Sequence, residues 1–150
     1  MRNNDGVREE RTGWRDEWIS ERHRLWGADV PMADIDFLAV EYDLKMPVAI
    51  VDYKGFAPRP IDVDASASLV ALRWLADMGG LMLMIVFYNR HTSVFTVRPL
   101  NRRAKEAYTL DQVMSEREYV TSLYTLRRRS VPQQILSRLN AFKPTGRRHG

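Results

Sequence analysis

The stretch Asp34-Ile35-Asp36-Phe37-Leu38-Ala39-Val40, followed after a polar turn by Val48-Ala49-Ile50-Val51-Asp52-Tyr53-Lys54, decides how this chain is read. Both runs are largely apolar, and Tyr42-Asp43-Leu44-Lys45-Met46 between them reads as a hairpin connection. In an antiparallel pair, opposed residues are equidistant from the centre of the turn. A hairpin centred on Leu44 therefore sets Asp36 opposite Asp52 and Asp34 opposite Lys54. Side chains alternate with period two along a strand, so all four share one face. Acidic residues are poor strand formers, and two directly opposed repel unless a cation intervenes. Two carboxylates and an ammonium on one patch of sheet point to a metal site with a charge stabiliser beside it. The plainer alternative is an exposed sheet end carrying an Asp–Lys pair, which contributes little stability.

Outward from the hairpin, the apolar pattern switches period several times. Trp14, Trp18 and Leu25 recur at helical spacing and predict a first helix over Gly13–Leu25, closed by Trp26-Gly27. Residues 1–12 alternate in charge without an apolar period and read as a frayed terminus, and Ala28–Ala33 has room for a short strand. Gly55–Pro60 is turn-rich. Asp64 is placed to cap a helix running to Met78, with Leu69, Leu72, Leu75 and Ala76 on one face and Gly79-Gly80 as its stop. Leu81–Tyr88 is apolar on both faces and predicts a central buried strand, and Val94–Arg98 returns as a more polar one ended by Pro99. The hairpin is apolar on both faces apart from its acids, which predicts a sheet covered on two sides.

The last third reads as helical. Asn101–Tyr108 suits a short basic helix. Ser115 with Glu118 forms a capping box opening a helix through Arg129, with Tyr119, Leu123 and Leu126 inward. Pro132 suits the first position of a final amphipathic segment with Ile135, Leu139 and Phe142, and Lys143–Gly150 reads as a mobile tail.

The acidic hairpin within this order of elements resembles the PD-(D/E)xK nuclease superfamily, the restriction-endonuclease-like fold. Its signature is an acidic residue opening one strand of a hairpin and (D/E)-x-K closing the next. Here the matching stretches are Asp34-Ile35-Asp36-Phe37 and Val51-Asp52-Tyr53-Lys54. The likeness extends between Trp14 and Pro99, with helix, strand, hairpin, helix and strand in the order the resemblance requires. Glu21-Arg22-His23-Arg24-Leu25-Trp26-Gly27 ahead of the hairpin also looks like small phage and prophage proteins assigned to that superfamily.

The resemblance implies an α/β fold with a mixed central sheet flanked by helices. Residues 1–100 would form the nuclease-like core, and 101–150 a helical C-terminal extension packed on the same domain. It implies hydrolysis of DNA phosphodiester bonds with Mg²⁺ (or Mn²⁺), with Asp36, Asp52 and the backbone carbonyl of Tyr53 as ligands. Such a hard cation takes oxygen donors and keeps several waters. Lys54 would orient the attacking water or offset developing negative charge. The family often adds an acid from the first helix. Glu17 and Glu21 stand one turn apart there, and Glu21, nearer the hairpin, joins the expected catalytic set. Asp34 is either a second ligand or the ion-pair partner of Lys54. Asp52 is shorter than the commoner glutamate, an exchange the superfamily tolerates.

Fold does not fix function. The competing reading is a catalytically inactive module that binds DNA or a protein partner, a second copy included, through its C-terminal helices. A metal-dependent hydrolase acting on RNA is a third.

Composition narrows these choices. The 150 residues suit one domain with a real core, and 45% hydrophobic content is ordinary for a globular chain. The absence of cysteine excludes disulfides and thiolate zinc sites and fits a reducing cytoplasm. The polar start lacks a signal-peptide pattern, and Leu81–Tyr88 is too short to span a bilayer, so no membrane role is expected. A net charge of +4 and a pI near 9.6 permit a polyanionic partner without requiring one. Arg127-Arg128-Arg129 is favoured by a helix C-terminus, and with Arg102, Arg103 and Lys105 it offers a phosphate-tracking surface. Trp14, Trp18 and Trp74, at helical spacing, read as core rather than as base-stacking platforms. His23, His91 and His149 have no Ser or Cys arrangement suggesting a nucleophile triad, and of the three only His23 stands near the expected site.

Overall fold

The computed structural model describes residues 17–27, 29, 33–139 and 141, and the chain divides into two compact units, Met1–Ala33 and Asp34–Gly150. The frayed terminus expected over 1–12, the helix start at 13–16, Trp14, Phe142 and the 143–150 tail all lie outside the described residues. So does most of the strand expected over 28–33.

The first unit contributes α1, Glu17–Leu25. Arg22, His23 and Arg24 crowd its last turn, where the helix dipole favours positive charge. The Arg22 guanidinium lies 5.1 Å from the Trp18 ring centroid, and His23 meets Trp26 edge-on at 4.5 Å. Trp18 and Leu25 are exposed, so the face read as core from spacing is not buried.

The second unit is a five-stranded mixed sheet flanked by helices. Its elements are β1 (Phe37–Glu41), β2 (Met46–Gly55), α2 (Ala67–Gly79), β3 (Met82–Asn89), β4 (Val94–Pro99), α3 (Arg102–Ala107), β5 (Gln112–Ser115), α4 (Glu116–Leu126) and α5 (Gln133–Leu136). The strands lie side by side in chain order. β1 and β2 form an antiparallel hairpin, and β2 runs parallel to β3 because α2 carries the chain back over one face. β4 and β5 follow antiparallel.

Period-two alternation in β2 and β3 separates two cores. Ile50, Leu83, Ile85 and Phe87 pack with Leu69, Leu72 and Ala76 of α2. Ala49, Val51, Met84 and Val86 pack on the opposite face with Tyr108, Met114 and Tyr119. Each such fully buried large side chain contributes about 1.5–3 kcal/mol over its exposed state. Placing β3 between two covered faces satisfies the unbroken apolar run seen in the sequence. One buried polar residue ties the elements together. Asn101 Oδ1 accepts from Leu83 N–H (3.0 Å) and Ala104 N–H (3.1 Å), while Nδ2 donates to the Leu81 carbonyl (2.8 Å) and Asp77 (3.0 Å).

Several expectations need correction. Gln112–Ser115 is a strand, so the last third is not wholly helical; pairing with β4 outweighs the local pattern. Ser115 does cap α4, accepting from Glu118 N–H at 3.1 Å, but the helix ends at Leu126, and Arg128 turns left-handed (φ 54°). Ser66, not Asp64, caps α2 through Leu69 N–H (3.2 Å), while Asp64 pairs with Arg73 at 2.7 Å. Leu75 and Trp74 face outward on α2, Trp74 with 64% of its surface exposed. β1 is only half covered: it lies at the sheet edge, and Phe37 and Leu38 remain exposed.

Candidate active site

The register that brings the acids together begins at the turn. Tyr42–Lys45 form a four-residue loop in which Lys45 is left-handed (φ 54°) and donates its N–H to the Tyr42 carbonyl at 3.3 Å. A bulge between Ala39 and Val40 then absorbs one residue, and Phe37↔Val51, Leu38↔Ile50 and Ala39↔Ala49 pair symmetrically about Leu44. Asp36 lies one residue ahead of β1, at the open end of this ladder, and Asp52 is one residue past Val51.

Their carboxyls meet. Contact with Asp52 is the leading influence that lifts the Asp36 carboxyl above its ordinary value, with partial burial and the Asp52 charge adding to it. The Tyr53 N–H bonded to Asp36 and the nearby Lys54 ammonium pull the other way. Lys54 Nζ stands 3.2 Å from Asp52 Oδ2, and both side chains are substantially shielded, with 28% and 16% of their surface exposed. Asp52 therefore touches both Asp36 and Lys54, on the face of the sheet that carries Ile50 and Ile85.

The remaining candidates fall out differently. Tyr53 turns its ring to the opposite face, edge-on to Phe37 at 5.0 Å and hydrogen-bonded to the Tyr119 hydroxyl. Burial drives the Tyr119 phenol far above its usual range. Because a strand residue directs its N–H and C=O to the same edge, the Tyr53 carbonyl is turned toward β1 along with the N–H that reaches Asp36. Asp34 is exposed in the non-strand segment leading to β1, and Lys54 makes its ion pair with Asp52. Glu21 is exposed on α1, in the first unit, whereas the acidic pair belongs to the second. Glu17 opens that same helix. Arg127 and Arg129 of the basic cluster after α4 are committed elsewhere. Arg127 donates to the Val40 carbonyl at 3.1 Å, and Arg129 holds Glu41 (2.9 Å) and Asp43 (2.7 Å) at the hairpin turn.

Beside Lys54 the same face carries a cationic cluster that local spacing could not reveal. Lys54 is in register with Phe87 of β3, and the guanidinium carbons of Arg98 and Arg59 lie 4.8 and 5.8 Å from the Phe87 ring centroid. Arg98 grips Asp111 through Nε (2.7 Å) and Nη2 (2.8 Å), which holds the Asp111 carboxyl below its usual range. A groove of about 680 Å³ lined by Tyr108, Met114, Ser122 and Leu126 lies on the other face, away from the acids.

The donor set suits a hard divalent cation. Two carboxylates pressed together, one with a raised pKa, form a locally electronegative spot that a cation would relieve. Among the described residues, no group of three or more His, Asp or Glu is gathered so that it could hold a metal ion. No protein-family model matches the chain, and no curated protein or solved structure is detectably similar to it.

Proposed function

We propose that this chain is a metal-dependent nuclease of restriction-endonuclease-like architecture that hydrolyses DNA phosphodiester bonds. One observation carries the reading: Asp36 and Asp52 are held carboxyl to carboxyl, with Lys54 3.2 Å from Asp52. The order of elements supports it, since an acidic hairpin followed by a helix and a strand, within a mixed sheet, is the arrangement the sequence resemblance implies.

Asp36, Asp52 and the Tyr53 carbonyl would hold Mg²⁺ or Mn²⁺, which when bound supplies positive charge at the phosphoryl oxygens and makes a water more acidic. The chain's own residues do the rest. The ion pair with Asp52 holds the Lys54 ammonium beside the acidic pair. Lys54 can then donate a hydrogen bond to the attacking water or to a phosphoryl oxygen as negative charge builds, an interaction strengthened by the partly dry surroundings. α2 and its loop close one side of the site by packing on Ile50, Ile85 and Phe87.

The test is cleavage of plasmid and single-stranded DNA by the purified chain. Activity should require Mg²⁺ or Mn²⁺, stop with EDTA, and be lost in Lys54→Ala while its circular dichroism is unchanged. A second reading, a nuclease-fold module that binds a protein partner without cleaving, is favoured by the outward face of α2. There Val70, Trp74, Leu75 and Met78 are all exposed on one apolar stripe. Folded protein that cleaves neither substrate with either metal selects that second reading.

A further inference from the structure

We propose that Arg59, in the loop between β2 and α2, grips a substrate phosphate beside the acidic pair; this rests on the nuclease reading. Phe87 is buried at the centre of the cluster, in register with Lys54 on the neighbouring strand. Adjacent strands lie about 4.8 Å apart. The Arg59 guanidinium above Phe87 therefore stands on the same side of the sheet as the Lys54 ammonium, one strand over.

The hydrogen bonds decide which arginine meets the substrate. Arg98 spends Nε and Nη2 on Asp111 and Nη1 on the Arg59 carbonyl at 2.6 Å, so each of its three nitrogens is engaged and its charge is offset by Asp111. Arg59 is exposed, and among the described residues its donors make a single long bond, Nη1 to the Gly55 carbonyl at 3.4 Å. Lys54 is already offset by Asp52. The unspent positive charge on this side of the cluster is thus carried by Arg59, on the side chain best shaped to clamp a phosphate with two parallel N–H bonds.

The loop holds that side chain ready. Pro58 and Pro60 flank Arg59, fixing their own φ angles and restricting the residues before them to extended backbone. Phe56, left-handed at φ 72°, turns the chain out of β2 while its N–H still reaches the Tyr88 carbonyl at 2.8 Å. The loop is thereby held at Phe56 N–H and at the Arg59 carbonyl. Arg98 and Asp111 act as positioning residues: they hold the Arg59 backbone and leave its donors to the ligand.

Binding of the full chain to a short labelled DNA duplex in EDTA, followed by anisotropy over a series of salt concentrations, separates this from the cleavage question. Arg59→Ala should weaken binding about tenfold and reduce the slope of log K against log salt by about 1, as expected for one lost phosphate contact. Arg59→Lys should keep the slope but recover only part of the affinity. Arg117→Ala removes the same charge from α4 on the opposite face and should change both far less. With Mg²⁺, Arg59→Ala should raise KM more than it lowers kcat. An Arg59→Ala slope equal to wild type, or an equal effect from Arg117→Ala, overturns the assignment. If wild type binds DNA through Arg59 but cleaves none, the nuclease reading falls and the phosphate contact stands. If it binds no DNA in EDTA, the Arg59 assignment falls, and cleavage with Mg²⁺ decides the nuclease reading separately.

Discussion

The two ends of one hairpin treat their carboxylates in opposite ways. At the turn, Glu41 accepts from Leu44 N–H at 2.6 Å and from Arg129 at 2.9 Å, and the same arginine holds Asp43 at 2.7 Å. The Leu44 N–H and Arg129 together hold the Glu41 carboxyl below its ordinary value. At the open end, Asp36 and Asp52 face each other, and the Asp36 carboxyl is pushed up. The turn answers both its acids with one arginine, whereas the open end sets acid against acid with a single ammonium, Lys54, 3.2 Å from Asp52; on the proposed nuclease reading, a cation from outside completes that pair.

The largest test of that contrast is catalytic. Lys54→Ala or Asp52→Asn should lower the DNA cleavage rate by about 100- to 1000-fold, the usual cost of losing one electrostatic stabiliser, with little change in melting temperature. Next comes the turn. Arg129→Ala strands Glu41 and Asp43 and should lower the melting temperature by about 5 °C for a domain of this size. A variant that melts like wild type would show that the clamp is ornamental and that the two ends do not differ in kind.

Most of this hairpin could be read before any coordinates. The spacing about Leu44 is enough to oppose Asp36 and Asp52, because strand period and turn length leave few registers. The bulge at Ala39/Val40 was not legible, yet it left the outer ladder in the expected register because it lies on the turn side. Long-range partners stayed hidden. Arg129 meets Glu41 across 88 residues, and Arg98 meets the Arg59 carbonyl across 39; no local period encodes such pairs. β5 failed for a related reason: Gln112–Ser115 is a strand only because β4 offers it a ladder. The outward Trp74 shows the converse, since helical spacing locates a face without saying what, if anything, covers it.

A smaller effect sharpens the mouth of the hairpin. Asp36→Asn removes the like-charge contact and should raise the melting temperature in EDTA by about 2–4 °C, while saturating Mg²⁺ or Mn²⁺ should stabilise wild type and leave the variant unmoved. An Asp36→Asn variant less stable than wild type in EDTA would count against repulsion at the pair.

The finest distinction is in pH. The raised Asp36 pKa means the wild type is penalised once pH exceeds that raised value, and the penalty is absent below the ordinary aspartate range. The advantage of Asp36→Asn should therefore vanish on acidification. Glu41 has the opposite sign: its stabilisation is present above the ordinary glutamate range and is lost as pH falls through its lowered value. The deficit of Arg129→Ala should close over that lower window. Melting curves from neutral to acidic pH resolve both; parallel curves for the three proteins would contradict the assignment of opposite shifts.

The central claim is that Asp36 and Asp52 jointly hold a divalent cation, and calorimetric titration of the metal-free chain with Mn²⁺ tests it most directly. One site should appear in wild type and disappear in both Asp36→Asn and Asp52→Asn, with each variant still folded. No binding to wild type, or binding that survives both substitutions, would contradict it.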